Sequence, residues 1–313
     1  MNLIRNVLTR LGRGHRAEHA ELRRAVDRST LLAAQLLVGQ LRQRGPLPSL
    51  HDAEFQVFSQ FGDDGIIQYL VHALEPLDHT FVEFGVQDYR EANTRFLLLH
   101  DGWRGLVMDS DPDLVARIQA DEEYWRHDLT AASAFVDRDN IDGLLRAHGF
   151  EGPLGLLSVD IDGNDYWVWE RISCVTPAVV VCEYNAVFGA ARAVTIPYQP
   201  AFDRTRAHPS NLYWGASLKA LAVLAERKGF AFVGTNSAGN NAYFVRRDRL
   251  GGLRPLDVAA GFTDSRFRES RDARGRLSFL AGEDRLRAIA DLPLVDVESG
   301  EALHVRDLPL PQR

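Results

Sequence analysis

The stretch that decides the fold is Trp214–Arg246, with the sequence WGASLKALAVLAERKGFAFVGTNSAGNNAYFVR. The spacing of its apolar residues predicts a helix over Trp214–Lys228, which Gly229 ends. Two runs rich in β-branched and aromatic residues follow, Phe230–Gly234 and Ala242–Arg246, and a turn rich in Asn and Gly separates them. Strands this close along the chain pair as a hairpin, so this end of the sheet must be antiparallel.

Before this hairpin, short apolar runs alternate with helical patterns. The runs that predict strands are Thr80–Val86, Arg104–Asp109, Gly155–Ile161 and Ala178–Tyr184, and we place a weaker third strand near Trp125–Leu129. Continuously apolar strands that alternate with helices indicate a parallel sheet covered on both faces. Five parallel strands and the hairpin predict an α/β fold with a seven-stranded Rossmann-like sheet. A nicotinamide-type domain would instead continue in parallel units.

Composition excludes several classes of protein. The 313 residues are 45% hydrophobic and 25% charged, which argues against disorder. A net charge of −7 argues against a nucleic-acid partner. The two cysteines, Cys174 and Cys182, exclude a disulfide scaffold. No apolar run approaches the roughly 18 residues of a membrane helix, and no signal peptide is apparent, so we expect a cytoplasmic protein.

The first glycine-containing motif is Phe81–Asp88, FVEFGVQD. Gly85 ends a strand, where it allows a ligand to approach the backbone. The single glycine of the motif argues against a pyrophosphate cradle, and Glu83 suits a cationic or amine-bearing ligand. The alternative is an ordinary turn glycine beside a solvated carboxylate.

The next strand ends at Asp109, 26 residues after Glu83. An acid at this position can accept hydrogen bonds from both hydroxyls of a ribose, so an adenosine ligand is expected here. Asp111 precedes Pro112 and is expected to cap the following helix.

The densest polar cluster is Ser158–Asp165, SVDIDGND. Its acids repel one another unless a cation, an arginine or a proton compensates them. The next strand ends in Glu183, beside Asp160. We therefore consider two roles: Asp160, Asp162 and Glu183 hold Mg²⁺ or another divalent cation, or one of these carboxylates is a general base. The alternative is a capped, solvated loop, which is the favoured interpretation for Asp165.

Two further segments flank these motifs. The turn Ser59–Asp64, SQFGDD, either caps the following helix or folds over a cofactor through Gln60. The loop Thr195–Tyr213 is aromatic and polar, as acceptor pockets commonly are. Its His208 is either a general base or a structural side chain.

Together these stretches resemble the FkbM-type branch of S-adenosylmethionine-dependent class I methyltransferases, over about residues 58–246. Ser59–Asp64 is similar to the family's SQxGED, and Val159–Gly163 (VDIDG) is similar to its KIDVEG. Glu83–Gly85 and Asp109 complete the match. Two stretches depart from the family: Val86-Gln87-Asp88 replaces small residues and a further glycine, and Ser158-Val159 replaces a lysine.

The resemblance implies methyl transfer to an oxygen of a small hydroxylated metabolite, a sugar or a glycolipid. It implies S-adenosylmethionine as the cofactor, and the residues expected to bind it are Gln60, Glu83, Gly85, Asp109 and Asp160. The expected catalytic residues are Asp160, His208 and Glu183. Two alternatives stay open: a metal-assisted enzyme of another reaction type on the same fold, and a non-catalytic binding subunit.

We expect three regions: a helical extension at 1–50, a class I methyltransferase-like catalytic domain at 51–250 and a further extension at 251–313. The first carries nine arginines and three acids within residues 1–45. Its apolar spacing predicts a helix broken at Gly12–Gly14 and a second from about Ala17 to Leu41. We consider three roles for this pair of helices: docking on the catalytic domain, joining a homo-oligomer, or contact with a membrane surface. The mixed charge favours docking. The C-terminal region is expected to form small hairpins over Arg274–Phe279 and Val295–Val305.

Overall fold

The computed structural model describes residues 2–309, with the backbone alone at residues 2–20, 23 and 24. The chain divides into two compact units, residues 1–44 and residues 45–313. The first unit is a single helix, α1 (Asn2–Gln43). Among the described residues, no helix is long and apolar enough to cross a membrane.

The predicted helical hairpin at the N-terminus is wrong, because α1 continues through Gly12–Gly14. A glycine inside a helix costs about 1 kcal/mol relative to alanine, but it keeps its backbone N–H and removes no hydrogen bond. A proline would break the ladder, and the first proline of the chain is Pro46. The described side chains Leu22, Val26 and Leu36 of α1 are exposed.

The second unit is built on the predicted seven-stranded sheet. Its strands are β1 (Thr80–Phe84), β2 (Arg104–Asp109), β3 (Leu129–Ser133), β4 (Gly152–Val159), β5 (Val175–Glu183), β7 (Phe230–Thr235) and β8 (Asn241–Arg246). They lie in the order β3-β2-β1-β4-β5-β8-β7. The first five are parallel, and β8 is antiparallel to both β5 and β7. The sheet is Rossmann-like, with the layout of a class I methyltransferase, as predicted.

Helices connect the strands and pack against the sheet. They are α2 (Asp63–Ala73), α3 (Arg95–Asp101), α4 (Pro112–Ala120), α5 (Ile141–Ala147), α6 (Asp165–Arg171), α7 (Arg204–Ala207), α8 (Leu218–Arg227), α9 (Val258–Gly261) and α10 (Glu283–Ala288). The Asp111 side chain accepts a hydrogen bond from the N–H of Asp113, so it caps α4 as expected. Helix α8 begins later than the predicted Trp214, because the Ser217 hydroxyl caps it by accepting from the N–H of Ala220.

The third strand begins four residues after the predicted start. The segment around Trp125 is a turn, and the indole is 73% exposed, whereas the buried Leu129 opens β3. A single large apolar residue among charged neighbours has no partner on the same face of a strand, so Trp125 does not extend β3.

The C-terminal region is tied to the body through a second sheet. Strands β9 (Pro293–Asp296) and β10 (Ala302–His304) form the hairpin predicted around Gly300, and β9 also pairs with β6 (Val194–Thr195). The hairpin predicted over Arg274–Phe279 is reduced to one bridge, between Arg271 and Leu277. The pairing of β9 with β6 joins the C-terminal region to the segment that precedes α8.

The close packing around Gly155 predicts that a methyl group added at this position destabilises the fold. A Cβ at Gly155 in β4 would lie 2.1 Å from the carbonyl oxygen of Asp78 and 2.6 Å from the Trp103 ring. We expect Gly155→Ala to lower the free energy of unfolding by about 1–3 kcal/mol, measured by urea denaturation. Gly143→Ala in α5, where nothing lies within 4 Å, is the matched control and should raise it by ~0.5–1 kcal/mol. Equal stability of Gly155→Ala and the wild type would contradict the packing.

Candidate functional site

Two cavities lie at the carboxyl edge of the parallel strands. The larger has a volume of about 330 Å³ and the smaller about 180 Å³. Both are lined by Gly85, Gln87, Asp160 and Asp162, so they are the two lobes of one cleft. We call them the large lobe and the small lobe.

The junction of the lobes depends on Gly85, which follows β1. Its φ is +74°, and a Cβ there would lie 1.8 Å from the carbonyl oxygen of Asp160. Its N–H donates to the carbonyl oxygen of Met108 at 2.9 Å. The group that closely approaches Gly85 is the backbone of Asp160, just after β4, and the approach of a ligand at Gly85 stays a prediction.

Glu83 holds the loop that follows Gly85. One carboxylate oxygen accepts from the N–H of Asn93 at 2.8 Å, and the other accepts from the N–H and hydroxyl of Thr94 at 3.0 and 2.5 Å. Burial raises the pKa of Glu83 to about 6. Glu83 lines the large lobe, as a cofactor-binding residue would, but both of its oxygens already have partners in the protein.

Asp109 lies at the end of β2 and lines the small lobe. One oxygen accepts from the N–H of Gln87 at 2.7 Å and the other from the N–H of Asp111 at 2.9 Å. A carboxylate oxygen has two lone pairs, so each still has room for one further donor. Gln87 adopts the left-handed region, with φ +50°, a conformation that is strained for a residue with a side chain.

The structure brings Asp160, Asp162 and Glu183 together, and one carboxylate oxygen from each lies within 4.8 Å of those of the other two. Burial, and then repulsion from neighbouring acids, raises the pKa of both Asp160 and Glu183 well above the ordinary carboxyl range. Oε2 of Glu183 is buried and has no hydrogen-bond partner. The pair is therefore expected to hold a proton at neutral pH unless a cation replaces it.

Arg204 of α7 relieves part of this repulsion. Its Nη1 lies 2.5 Å from Oδ1 of Asp162, and its Nε donates to the carbonyl oxygen of Asn211 at 2.9 Å. The guanidinium also packs over the Trp214 ring, 5.0 Å from its centre. Sequence reasoning missed this residue, because nothing in the sequence separates Arg204 from its neighbour Arg206.

Asp165 has a structural role at the end of the cluster, but it is buried and is not the solvated or helix-capping acid that was expected. Its carboxylate accepts from the N–H groups of Ile161 and Gly163 at 2.8 and 2.9 Å, which folds the loop that carries Asp162. Burial raises the pKa of Asp165 to about 6. Nδ2 of Asn164 donates to the carbonyl oxygen of Gln199, and Oδ1 of Asn164 is buried without a hydrogen-bond partner.

The turn Ser59–Asp64 also contains an acidic residue with a structural role. Oδ2 of Asp64 accepts from the N–H groups of Val57, Phe58 and Ser59 at 2.7–2.8 Å. This contact fixes the turn so that Gln60 lines the large lobe, where a cofactor-binding role was predicted.

His208 lies apart from these groups and lines neither lobe. Its Nδ1 accepts from the N–H of Ser210 at 3.2 Å and lies 2.8 Å from the Ser210 hydroxyl oxygen. Burial lowers the pKa of the ring, so it is neutral at pH 7. The structure therefore does not place the predicted base beside Asp160.

The C-terminal region supplies a wall of the large lobe that was not foreseen. Ser265, Phe267, Glu269 and Arg285 all line it. No local pattern in the sequence marks these residues, because they reach the cleft through contacts between distant parts of the chain, such as the hydrogen bond from the N–H of Arg266 to the carbonyl oxygen of Ala238.

Comparison with known proteins does not identify the chain. No family model matches it, and no curated protein matches it. Solved structures resemble it weakly. The N-terminal domain of EvdMO1 with SAH bound is 11% identical, over 71% of this chain and 94% of that one, with a TM-score of 0.38. An O-methyltransferase from Bacillus cereus in complex with SAH is 12% identical over 69% and 89%, with a TM-score of 0.38. The small RNA methyltransferase HEN1 is 14% identical over 69% and 28%, with a TM-score of 0.37. These scores are too low to assign an activity.

The contacts of Glu83 predict a structural cost when its charge is removed. Glu83→Gln places an amide NH₂ against N–H donors, so we expect the free energy of unfolding to fall by about 1–3 kcal/mol. Urea denaturation measures this loss, and hydrogen exchange should show faster opening of residues 86–94. Glu91→Gln, at an exposed position in the same loop, is the control and should change little. If both variants match the wild type, Glu83 does not hold the loop.

Proposed function

We propose that the chain is an S-adenosylmethionine-dependent methyltransferase that acts on a hydroxyl oxygen of a small acceptor. The observation that carries the proposal is the two-lobed cleft, with Asp109 in one lobe and the Asp160–Glu183 pair in the other. The cleft lies where the strand order reverses around β1 and β4, and open α/β sheets bind their ligands at that point. The resemblance to FkbM-type methyltransferases agrees with this proposal and stays a prediction.

The small lobe fits the adenosine part of the cofactor. Asp109 has free lone pairs for the ribose hydroxyls. Phe135 lines the lobe with its side chain 49% exposed, which provides an apolar face for a purine. Oδ1 of Asn164 is buried without a hydrogen-bond partner and also lies in the lining, so it can accept from the purine amino group.

The large lobe fits the methionine part of the cofactor, whose sulfonium and ammonium groups carry positive charge. Gln60, Glu83, Asp88 and Glu91 line it near the loop that follows Gly85. Glu83 already has protein partners, so we assign the direct contacts to Gln60 and to backbone groups near Gly85. The acids add a negative potential that favours a positively charged ligand.

When bound, S-adenosylmethionine supplies an electrophilic methyl group. The residues of the chain have two tasks: to align the acceptor hydroxyl with that methyl group and to remove its proton. We assign proton removal to the Asp160–Glu183 pair. Because burial raises both pKa values, the ionised member is a stronger base than an exposed carboxylate. His208 lies outside both lobes, so the proposal gives it no role.

A divalent cation is the alternative compensating charge for this pair. Asp160, Asp162 and Glu183 offer one oxygen ligand each, all within 4.8 Å of one another, and carboxylate oxygens are ligands that Mg²⁺ takes. The ion pair of Asp162 with Arg204 favours the form without metal, because the guanidinium already neutralises one of the ligands.

The proposed ribose contact predicts a loss of cofactor affinity. Asp109→Ala should weaken binding of S-adenosylhomocysteine by about 1–3 kcal/mol, roughly 5- to 150-fold in Kd, because buried hydroxyls lose their acceptor. Calorimetric titration measures this change. Asp111→Ala, which removes only the exposed cap of α4, should leave the Kd unchanged. An unchanged Kd in folded Asp109→Ala would remove Asp109 from the site.

The proposed base predicts a separate effect on turnover. Asp160→Asn should abolish transfer of a labelled methyl group to a panel of small hydroxylated acceptors and leave S-adenosylhomocysteine affinity nearly unchanged. Asp203→Asn, at the exposed cap of α7, is the control. If a chelator also stops turnover and Mg²⁺ or Mn²⁺ restores it, the pair holds a metal. Full activity in Asp160→Asn would contradict the catalytic assignment.

A further inference from the structure

Arg285 of α10 is a buried cation in the wall of the large lobe. Its side chain is 9% exposed, and its ion-pair partner is Asp264, whose oxygen lies 2.8 Å from Nη2. That partner is itself 63% exposed. Nε of Arg285 is buried and has no hydrogen-bond partner. Nε and Nη2 form one edge of the guanidinium, and on this edge only Nη2 has a hydrogen-bond acceptor.

This arrangement is costly in the absence of a ligand. A buried charged donor without an acceptor loses its hydration and receives no hydrogen bond in return. The pair with an exposed aspartate compensates little, because water screens it. The edge formed by Nε and Nη2 matches two oxygens of one carboxylate or phosphate group, which bind guanidinium in a bidentate manner.

The other charged groups of this part of the wall already have partners. Arg204 pairs with Asp162, and Glu269 pairs with Arg271 at 2.9 Å. Burial and repulsion from Asp160 raise the pKa of Glu183 well above the ordinary carboxyl range, so the Asp160–Glu183 pair shares a proton. Among the described residues that line this side of the large lobe, Arg285 is therefore the charge that lacks a buried counter-ion.

We propose that Arg285 binds an anionic oxygen group, a carboxylate or a phosphate, on the acceptor. The inference rests on the proposed function and deepens it, because the same lobe holds the Asp160–Glu183 pair. The acceptor is then a molecule with two features: a hydroxyl that reaches the carboxyl pair and an anion that reaches the C-terminal wall. Arg285 sets acceptor specificity, and the region 251–309 becomes part of the active site.

Anion binding to the full-length protein, saturated with S-adenosylhomocysteine, tests this proposal. The probes are inorganic phosphate and glycolate, titrated by calorimetry and, for phosphate, by ³¹P NMR line broadening. We expect at least one of them to bind with a millimolar Kd. Arg285→Gln should weaken that binding about 10-fold or more, as loss of a charge-assisted hydrogen bond requires. Arg287→Gln, on the exposed face of the same helix, should have no effect. The probe that binds more tightly distinguishes a phosphorylated acceptor from a carboxylated one.

A second variant keeps the test decisive if Arg285→Gln fails to fold. Asp264→Asn removes the exposed carboxylate that competes for Nη2, so it should tighten anion binding, whereas a purely structural ion pair predicts no such gain. Absence of anion binding in the wild type, or equal binding in Arg285→Gln, would overturn the inference while S-adenosylhomocysteine binding upheld the proposed function. If S-adenosylhomocysteine does not bind, the proposed function fails, and the same titrations on the unliganded protein judge Arg285 separately.

Discussion

The architecture of the cleft depends on the contact between the Gly85 backbone and the carbonyl oxygen of Asp160. No side chain fits there, since even a Cβ would lie 1.8 Å from that oxygen. The contact places the loop after β1 between the ends of β2 and β4, which divides the carboxyl edge into two lobes. Gln87 and Asp162, on either side of it, both have positive φ. Strained backbone of this kind persists where the surroundings overdetermine it, and it is common at binding sites.

Buried acids in this domain serve two distinct purposes. Glu83, Asp64 and Asp165 each accept hydrogen bonds from backbone N–H groups, and each one fixes a loop that borders the cleft. Asp160 and Glu183 instead lie beside each other at two strand ends, with one oxygen of Glu183 unpartnered. The acids that accept from N–H groups stabilise the fold. The Asp160–Glu183 pair destabilises the fold and is the expected site of proton or cation chemistry.

Much of the fold could be predicted because its signals are local. Continuous apolar runs mark the parallel strands, and the closely spaced runs after Gly229 mark the antiparallel hairpin. The meeting of Asp160 with Glu183 followed from the topology, because neighbouring parallel strands end at the same edge. Arg204 and Arg285 could not be predicted, because they reach the cleft from α7 and α10 by contacts that depend on distant pairings. The continuity of α1 was missed because glycine weakens a helix without breaking its hydrogen bonds.

The most direct test of the central claim is a crystal structure of the protein with S-adenosylhomocysteine bound. We expect the adenosine in the small lobe, with its ribose hydroxyls on Asp109 and its purine beside Phe135. We expect the amino-acid part in the large lobe, with the sulfur at the junction formed by Gly85 and Asp160. Binding at another surface, or adenosine in the large lobe against Glu183, would contradict the proposed site.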